Sequence, residues 1–513
     1  MLVKVYGSAI SGINATTVCV EVSVEQGVGF FLVGLPDNAV KESYQRVSSA
    51  LQSFGYKIPG KRIIINMAPA DIRKEGSSYD LPIAIGILAA SEQIALNYNI
   101  SEYLIMGELS LDGSLQPIKG VLPIALEAKK QGFKAFILPK TNAQEAAIVQ
   151  GVDVYGVENI LEVINYFNNS ASLEKTKIDS EKIFQKDLER YEFDFTDVKG
   201  QENVKRGMEI AAAGSHNVIL IGPPGSGKTM LAKRLPSILP PLSLEESLET
   251  TKIHSVAGKM RKNTPLVSIR PFRSPHHTIS DVALVGGGAI PQPGEISLSH
   301  NGVLFLDELP EFKRNVLEVL RQPMEERDIT ISRSKQAVSY PASFMLVAAM
   351  NPCPCGFYNH PSVDCTCSTS SVKKYLNKIS GPLLDRIDLH IEVVPVPFKD
   401  LSEKREGEKS STIRQRVVVA RQIQQERFKN YENIHCNAQM TSKMLKEYCS
   451  LTESGMQLLK RAMETLGLSA RAYDRILKVS RTIADLDQSK NIENHHLSQA
   501  IGYRSLDRET WGI

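Results

Sequence analysis

The stretch Gly222-Pro-Pro-Gly-Ser-Gly-Lys-Thr229 decides the fold, because it matches the pattern G-x-x-x-x-G-K-[ST]. It lies between an apolar run, 217–221, and an expected helix, 229–235. Glycines in such a loop let backbone N–H groups turn inward around phosphates, and the N-terminus of the following helix favours an anion. Lys228 reaches the β and γ oxygens of a nucleotide, and the Thr229 hydroxyl binds Mg²⁺. We expect the nucleotide to contact Gly222, Pro223, Pro224, Gly225, Ser226, Gly227, Lys228 and Thr229.

A second apolar run ends in two carboxylates, in the sequence Val303-Leu-Phe-Leu-Asp-Glu308. At the end of a buried strand, Asp307 is suited to hold Mg²⁺ and Glu308 to polarise an attacking water. A third run, 344–350, precedes Asn351, whose side chain would sense the γ-phosphate of ATP. A strand followed by an acid is by itself a common turn. Its position downstream of a phosphate loop is what favours ATP hydrolysis.

Strand-like and helix-like patterns alternate on both sides of these motifs. This alternation is typical of an α/β fold with a mostly parallel sheet that is covered on both faces. We expect an α/β domain at 1–167, a polar linker at 168–192, the nucleotide-binding α/β core at 193–400 and a helical lid domain at 401–513.

Length and composition exclude several classes of protein. At 513 residues the chain is too long for one hydrophobic core. The formal net charge of +3 gives no whole-molecule argument for nucleic acid, so that argument must come from local patches. The N-terminus has no signal-peptide pattern, and the most apolar stretch, 81–90, is far shorter than the ~20 residues that span a bilayer. We expect a cytoplasmic protein with no membrane contact, in which this stretch is a buried helix.

Four of the seven cysteines form a cluster. In a reducing compartment such a cluster favours a metal site over disulfides, and four thiolates suit tetrahedral Zn²⁺. The C-x-C spacing is tighter than the usual C-x₂₋₄-C, so four reduced cysteines in a surface loop remain the alternative. The candidate zinc ligands are Cys353, Cys355, Cys365 and Cys367.

Longer motifs carry a family resemblance that covers essentially the whole chain. The core resembles the AAA+ ATPases of the magnesium-chelatase type, and the chain as a whole resembles the bacterial YifB/ComM family. The motifs are Phe272-Arg-Ser-Pro-His-His277, Gly287-Gly-Ala-Ile-Pro-Gln-Pro-Gly-Glu295, Asn301-Gly-Val-Leu-Phe-Leu-Asp-Glu-Leu309, Ala348-Ala-Met-Asn-Pro-Cys-Pro-Cys-Gly356 and Gly381-Pro-Leu-Leu-Asp-Arg-Ile-Asp388.

The resemblance implies roles for three residues that neutralise or sense the transferred phosphate. By likeness Asn351 is sensor 1, Arg386 is the arginine finger given to a neighbouring subunit, and Arg471 is sensor 2. For either arginine alone, a surface ion pair is the default interpretation. The family also implies a homohexameric ring, and its ComM-type members are implicated in DNA branch migration during natural transformation.

The N-terminal part resembles the Lon protease domain. The sequence Arg73-Lys-Glu-Gly-Ser-Ser-Tyr-Asp-Leu81 places Ser78 where Lon-like proteins have the nucleophilic serine. The stretch Gly107–Gly120 resembles the segment before their catalytic lysine, but Leu122 stands in the lysine's place. Because a serine without its base is not activated, we interpret this domain as a non-proteolytic scaffold.

Two insertions are candidates for DNA contact. One precedes the acidic strand and contains Arg270, Arg273, His276 and His277; the other, 329–340, alternates like a hairpin with Arg333 and Lys335 near its turn. Positive loops at these places could grip phosphates without reading sequence. On charge alone a solvated hairpin is the alternative. The candidate DNA-contacting residues are Arg333, Lys335 and Arg273.

Three functions fit the sequence. The first is an ATP-driven hexameric DNA translocase that performs branch migration in recombination, on single-stranded, duplex or branched DNA. The second is a motor that remodels a protein or inserts a metal, as magnesium chelatase does. The third, an ATP-dependent protease, is disfavoured by Leu122.

Overall fold

The computed structural model describes most of the chain in two compact units. The described residues leave out 180–190, 262–263, 289–290, 334–335, 359, 361, 397–406, 432 and 505–513, together with the side chains at 333 and 336. The first unit consists of residues 1–186 with 247–267, and the second of 187–246 with 268–513. Residues 180–190 of the expected linker, and the expected boundary between core and lid, lie outside the described residues.

The first unit is built on a mixed sheet. Its strands are β1 (Leu2–Ser11), β2 (Asn14–Glu25), β3 (Gly29–Val33), β4 (Arg62–Ala68), β5 (Tyr103–Ile105), β8 (Ala135–Pro139) and β9 (Asp153–Val157). A separate short ribbon consists of β6 (Glu108–Leu109) and β7 (Leu115–Gln116). In the described residues the sheet order is β3-β4-β2-β1-β5-β8-β9, with antiparallel pairing of β1 to β2 and of β2 to β4 and parallel pairing elsewhere.

Helices cover this sheet, and one of them lies entirely within the core. Every residue of Asp80–Ala90 is buried, which confirms the helix expected from the most apolar stretch. Gly86 permits its close approach, because a Cβ there would lie 2.6 Å from Cγ2 of Val22. The helices are Asn38–Lys41, Ser43–Ser53, Asp80–Ala90, Val121–Gln131, Lys140–Ala146 and Ile160–Phe167.

The second unit contains the parallel sheet that the motifs predict. Its strands are β10 (Val218–Ile221), β11 (Phe272–Arg273), β14 (Val303–Leu306), β17 (Met345–Met350) and β18 (Leu389–Glu392), and two hairpins add β12 (Gly286–Gly287), β13 (Gln292–Pro293), β15 (Asp328–Arg333) and β16 (Gln336–Pro341). Among the described residues the sheet order is β11-β14-β17-β10-β18, with parallel pairing throughout. The α/β fold class is therefore confirmed.

Shorter helices flank this sheet, and longer ones follow it. Apolar and small residues, such as Ala211 and Ala212, bury the helix Glu202–Gly214 against β18 and the C-terminal helices. The flanking helices are Glu202–Gly214, Lys228–Arg234, Asp281–Val285, Glu295–Leu298, Arg314–Glu318, Arg321–Glu326, Thr369–Leu376 and Gly381–Leu384; Leu244–Val256 spans the boundary between units. The C-terminal helices are Ser410–Phe428, Ser442–Tyr448, Glu453–Leu466, Ala470–Leu486 and Asn494–Gly502.

A buried carboxylate ties the C-terminal helices together. Asp485 is fully buried, and its oxygens accept hydrogen bonds from Arg427 at 2.5 and 2.8 Å, from Arg481 at 3.1 Å and from Asn437 at 2.8 Å. Removing one member of a buried charged network leaves the other charges without compensation, which costs more than the loss of an exposed pair.

We expect Asp485→Ala to lower the free energy of unfolding of the helical region by about 3–5 kcal/mol, because two buried guanidinium groups lose their counter-charge. Chemical denaturation followed by circular dichroism measures this change. Glu464→Ala is the matched control, since Glu464 forms only an exposed pair with Lys460 at 4.0 Å. Equal stability losses in both variants would contradict the assignment.

Candidate nucleotide-hydrolysis site

The phosphate loop lies at the carboxyl edge of the parallel sheet. Buried strand β10 ends at Ile221, and the loop then turns through Gly225 and Gly227, whose φ angles are +76° and +91°. Residues with side chains rarely adopt such angles, so glycine is required there. The helix that begins at Lys228 directs its N-terminus at the loop, where it favours an anion.

Lys228 lies inside this loop. Its ammonium donates to the carbonyl oxygens of Gly222 at 2.7 Å and Pro223 at 2.9 Å, and to Oδ1 of Asn351 at 3.2 Å. Burial lowers the pKa of Lys228, and the Asp307 carboxylate opposes that shift. A concentrated positive charge in a partly dry loop is what binding of the β- and γ-phosphates requires.

The ligand set suits a hard cation. The Thr229 hydroxyl donates to Oδ2 of Asp307 at 2.7 Å, so a hydroxyl and a carboxylate oxygen face each other at the mouth of the loop. Mg²⁺ prefers oxygen ligands and is held in nucleotide sites by one or two protein groups together with phosphates. Thr229 and Asp307 therefore fit Mg²⁺, which would neutralise phosphate charge there.

Glu308 has a contact that the sequence did not reveal. Its backbone is left-handed, with φ of +54°, and its carboxylate Oε2 lies 3.4 Å from Nδ1 of His277. Sequence reasoning placed His277 in an insertion that contacts DNA. The contact arises because β11 pairs in parallel with β14, so that the residues following both strands meet at one edge. The His277 ring therefore lies beside the carboxylate that would polarise water.

These groups line a cavity of about 750 Å³. The structure brings Lys228, Thr229, Asp307, Glu308 and Asn351 together in its lining. The lining also includes residues that follow Asn351 in the chain, namely Pro354, Ser371, Lys374, Tyr375 and Lys378. Within the part of the chain that the structure describes, this is the place where a nucleoside triphosphate can meet a general base and a metal-binding pair.

The two candidate arginines lie elsewhere. Arg386 is largely buried, pairs with Glu325 at 2.6 Å and donates to the carbonyl of Pro382. Arg471 is 61% exposed and pairs at 2.9 Å with Asp385, the neighbour of Arg386. Neither is among the residues that line the cavity. The described structure therefore places neither arginine in the chain's own nucleotide cavity.

The candidate DNA-binding residues are described only in part. Residues 328–341 form the expected hairpin, with Tyr340 buried and donating to the carbonyl of Pro291 at 2.8 Å. Lys335 and the side chain of Arg333 lie outside the described residues. Arg273 forms a bidentate pair with Glu295, at 2.6 and 2.7 Å, which closes the base of the other insertion.

The four clustered cysteines converge. The Sγ atoms of Cys353, Cys355 and Cys365 are 3.3, 3.5 and 3.7 Å apart, and all four Sγ atoms, with that of Cys367, lie within 4.8 Å of one another. Tetrahedral Zn²⁺ with Zn–S bonds of ~2.3 Å places its sulfurs roughly 3.8 Å apart. The donor set and spacing therefore fit Zn²⁺.

The first unit shows what stands in place of a catalytic lysine. Leu122 is buried, and its backbone N–H donates to Oε1 of Glu145 at 3.0 Å. The Ser255 hydroxyl donates to the same carboxylate oxygen, and burial raises the pKa of Glu145. Ser78 lies in a short 3₁₀ turn, Ser77–Tyr79. The backbone at the expected position of the base is thus linked through Glu145 to Ser255 in the segment 247–267.

Comparison with known proteins agrees with this architecture. The family described as "Magnesium chelatase, subunit ChlI" matches residues 194–401, "Subunit ChlI of Mg-chelatase" matches 20–142, and "Magnesium chelatase, subunit ChlI C-terminal" matches 407–504. The fold and the site thus define a magnesium-chelatase-type AAA+ protein.

Similarity to individual proteins extends over the full chain. "Uncharacterized protein YifB" of Escherichia coli is 46% identical over 98% of this chain and 97% of its own length. "Competence protein ComM" of Haemophilus influenzae is 45% identical over 99% and 98%. The chain belongs to the YifB/ComM family. "Lon protease 2" of Bacillus subtilis is 33% identical over 24% of this chain and 22% of its own length.

No helix in the described residues is both long and apolar enough to cross a membrane.

We expect Glu308→Gln to bind ATP normally and to hydrolyse it roughly 10²–10⁴-fold more slowly, because the general base is lost while the phosphate loop is intact. Lys228→Ala is the comparison variant and should lose nucleotide affinity instead. Equilibrium binding of a fluorescent ATP analogue and single-turnover hydrolysis separate the two effects. Loss of ATP affinity in Glu308→Gln would contradict the assigned role.

Proposed function

We propose that the chain is an ATP-hydrolysing motor that assembles as a homohexameric ring and moves DNA, with branch migration during natural transformation as its task. One observation carries the proposal. The groups that would bind phosphate and polarise water lie in one cavity, whereas Arg386 and Arg471 are not among the residues that line it. A site divided in this way is completed when a second copy supplies its arginine finger.

Five residues of the cavity have roles in the proposed hydrolysis. Lys228 and the loop N–H groups hold the β- and γ-phosphates, and Thr229 with Asp307 would hold Mg²⁺. Glu308 polarises the attacking water, and Asn351, whose amide oxygen lies 3.2 Å from the Lys228 ammonium, senses the γ-phosphate. Arg386, paired with Glu325, is the finger for the cavity of a neighbouring subunit, and Arg471, paired with Asp385, is sensor 2.

The DNA substrate is supported by two observations. The relative of Haemophilus influenzae bears the name of a competence protein, and competence is the uptake of DNA. The insertion closed by the pair Arg273–Glu295 precedes strand β14 in the sequence, and the paired strands β15 and β16 follow it. Basic side chains at the hairpin turn would contact phosphates without reading bases.

A second function is favoured by the family matches. Because three ChlI descriptions match this chain, a motor that remodels a protein or inserts a metal is the alternative. Proteolysis is less favoured, since Leu122 stands where a catalytic lysine would be needed and Glu145 bonds its backbone. We also propose a cytoplasmic location and Zn²⁺ as the ion of the cysteine cluster.

We expect Arg386→Ala to leave ATP binding intact and to lower turnover by as much as roughly 10³-fold, as loss of an arginine finger does. Mixing Arg386→Ala with Lys228→Ala subunits should restore part of the ATPase activity, because mixed interfaces then contain one intact cavity and one intact finger. Arg461→Ala, which removes an exposed arginine of the lid, is the control. Full activity in a strictly monomeric preparation would contradict the shared site.

We expect DNA to bind more tightly with ATP than without it, to bind with little sequence preference, and to dissociate steeply as salt rises, since phosphate contacts release counterions. Charge removal in Arg333→Ala/Lys335→Ala should lower DNA-stimulated turnover more than basal turnover. Lys129→Ala/Lys130→Ala removes the same charge from an exposed helix of the first unit and is the control. If unfolded protein and not DNA stimulated turnover, the remodelling function would replace the translocase.

A further inference from the structure

We infer that the four-cysteine cluster is a zinc site that positions one wall of the nucleotide cavity, so that the metal governs the rate of ATP hydrolysis. This wall consists of Asn351 and the lining residues that follow it in the chain. This inference rests on the ATPase activity proposed above and adds a metal-dependent step to it. The four cysteines would then be positioning residues, because they act through Asn351 and the wall and do not touch the reacting phosphate.

The sulfur positions in the cluster fit a zinc site. The Sγ–Sγ distances of 3.3–3.7 Å far exceed the ~2.05 Å of a disulfide and come near the edge of a zinc–thiolate tetrahedron. Cys353 is fully buried, and its sulfur accepts the backbone N–H of Tyr358 at 3.3 Å. Four sulfurs that converge on one point match the ligand set of a structural zinc site.

The cysteine cluster lies between two groups of cavity-lining residues along the chain. Two residues before Cys353 lies Asn351, whose side chain contacts Lys228. Two residues after Cys367, the helix Thr369–Leu376 begins, capped by the Ser368 hydroxyl. Residues near both ends of the cluster in the sequence line the cavity. Asn351 and Pro354 lie near its start, and Ser371, Lys374 and Tyr375 follow its end. The cluster thus joins the two halves of one wall.

The cysteine loop also approaches the phosphate loop directly. Gly356, which follows Cys355, has a φ of +88°, and a Cβ at this position would lie 2.5 Å from Cδ of Pro224. Pro224 itself lines the cavity. In addition, the phenol of Tyr375 lies against the backbone of Asn351. The cysteine loop therefore packs against the phosphate loop at Gly356, and the helix that follows it contacts Asn351 through Tyr375.

The cysteine cluster should affect the rate of ATP hydrolysis but not the affinity for nucleotide. The phosphate loop is anchored by β10 and the helix Lys228–Arg234, so it retains nucleotide when the cysteines are released. Asn351 and the wall depend on the cluster, and a displacement of about 1 Å near reacting groups costs roughly 10²-fold in rate. Loss of zinc should therefore lower kcat and leave the affinity for ADP unchanged.

The test compares the full-length protein with the variant Cys365→Ser/Cys367→Ser, which keeps the cysteines nearest Asn351. Elemental analysis should find one zinc per wild-type chain and none in the variant. ADP affinity should be the same in both, and kcat should fall in the variant by roughly 10–10²-fold. Cys19→Ser, which removes a half-buried thiol from the first unit, is the control and should retain both zinc and kcat.

A second measurement keeps the inference testable if the double variant does not fold. Zinc is removed from the wild-type protein with a chelator and Co²⁺ is added, so that the thiolate–cobalt absorption reports on the cluster. Adding ATP with Mg²⁺ to the cobalt form of Glu308→Gln should shift this absorption, because the bound γ-phosphate contacts the wall that the cluster positions. Adding ADP should shift it less.

Three results would overturn the inference, and each is distinct from failure of the ATPase itself. Zinc retained by the double variant would refute the site. Loss of zinc with an unchanged kcat would show that the metal only stabilises the fold, even if the melting temperature fell, and would refute the coupling. A cobalt absorption spectrum that does not change when ATP is added would refute it as well. A wild-type protein that contains zinc but hydrolyses no ATP would instead refute the proposed function.

Discussion

The parallel pairing of β17 with both β10 and β14 is the constraint on which the site depends. Parallel strands end at the same edge, so the residues that follow each strand are brought together although more than 120 positions separate Lys228 from Asn351. The residues of β10, β14 and β17 are buried throughout, and this apolar burial fixes the register. Without it, the Thr229–Asp307 and Lys228–Asn351 contacts could not both form.

Much of the fold and the centre of the site could be predicted from the sequence, because both depend on local patterns. A glycine-rich loop after an apolar strand, and two carboxylates after another, are visible in short stretches around Lys228 and Asp307. The strands that carry them, the buried helix Asp80–Ala90 and the hairpin at 328–341 were all found in this way. Apolar runs of strand length and their flanking glycines are sufficient for such predictions.

The remaining features depend on spatial order that short patterns do not encode. The approach of His277 to Glu308 follows from β11 lying beside β14, and nothing within either motif specifies that neighbour. The pairing of Arg471 with Asp385 likewise joins residues 86 positions apart. Likeness to the family assigned roles to both arginines, but the sequence could not show that neither lines the cavity. That separation is a three-dimensional property.

The segment 247–267 belongs to the first unit although the chain around it belongs to the second. The polypeptide therefore passes between the units three times, near residues 186, 246 and 267. A single proteolytic cut within 180–190 leaves the units joined by two further covalent connections. Neither unit can be excised as one continuous stretch of gene, since the first would lose Ser255 and leave the Glu145 carboxylate without that hydroxyl.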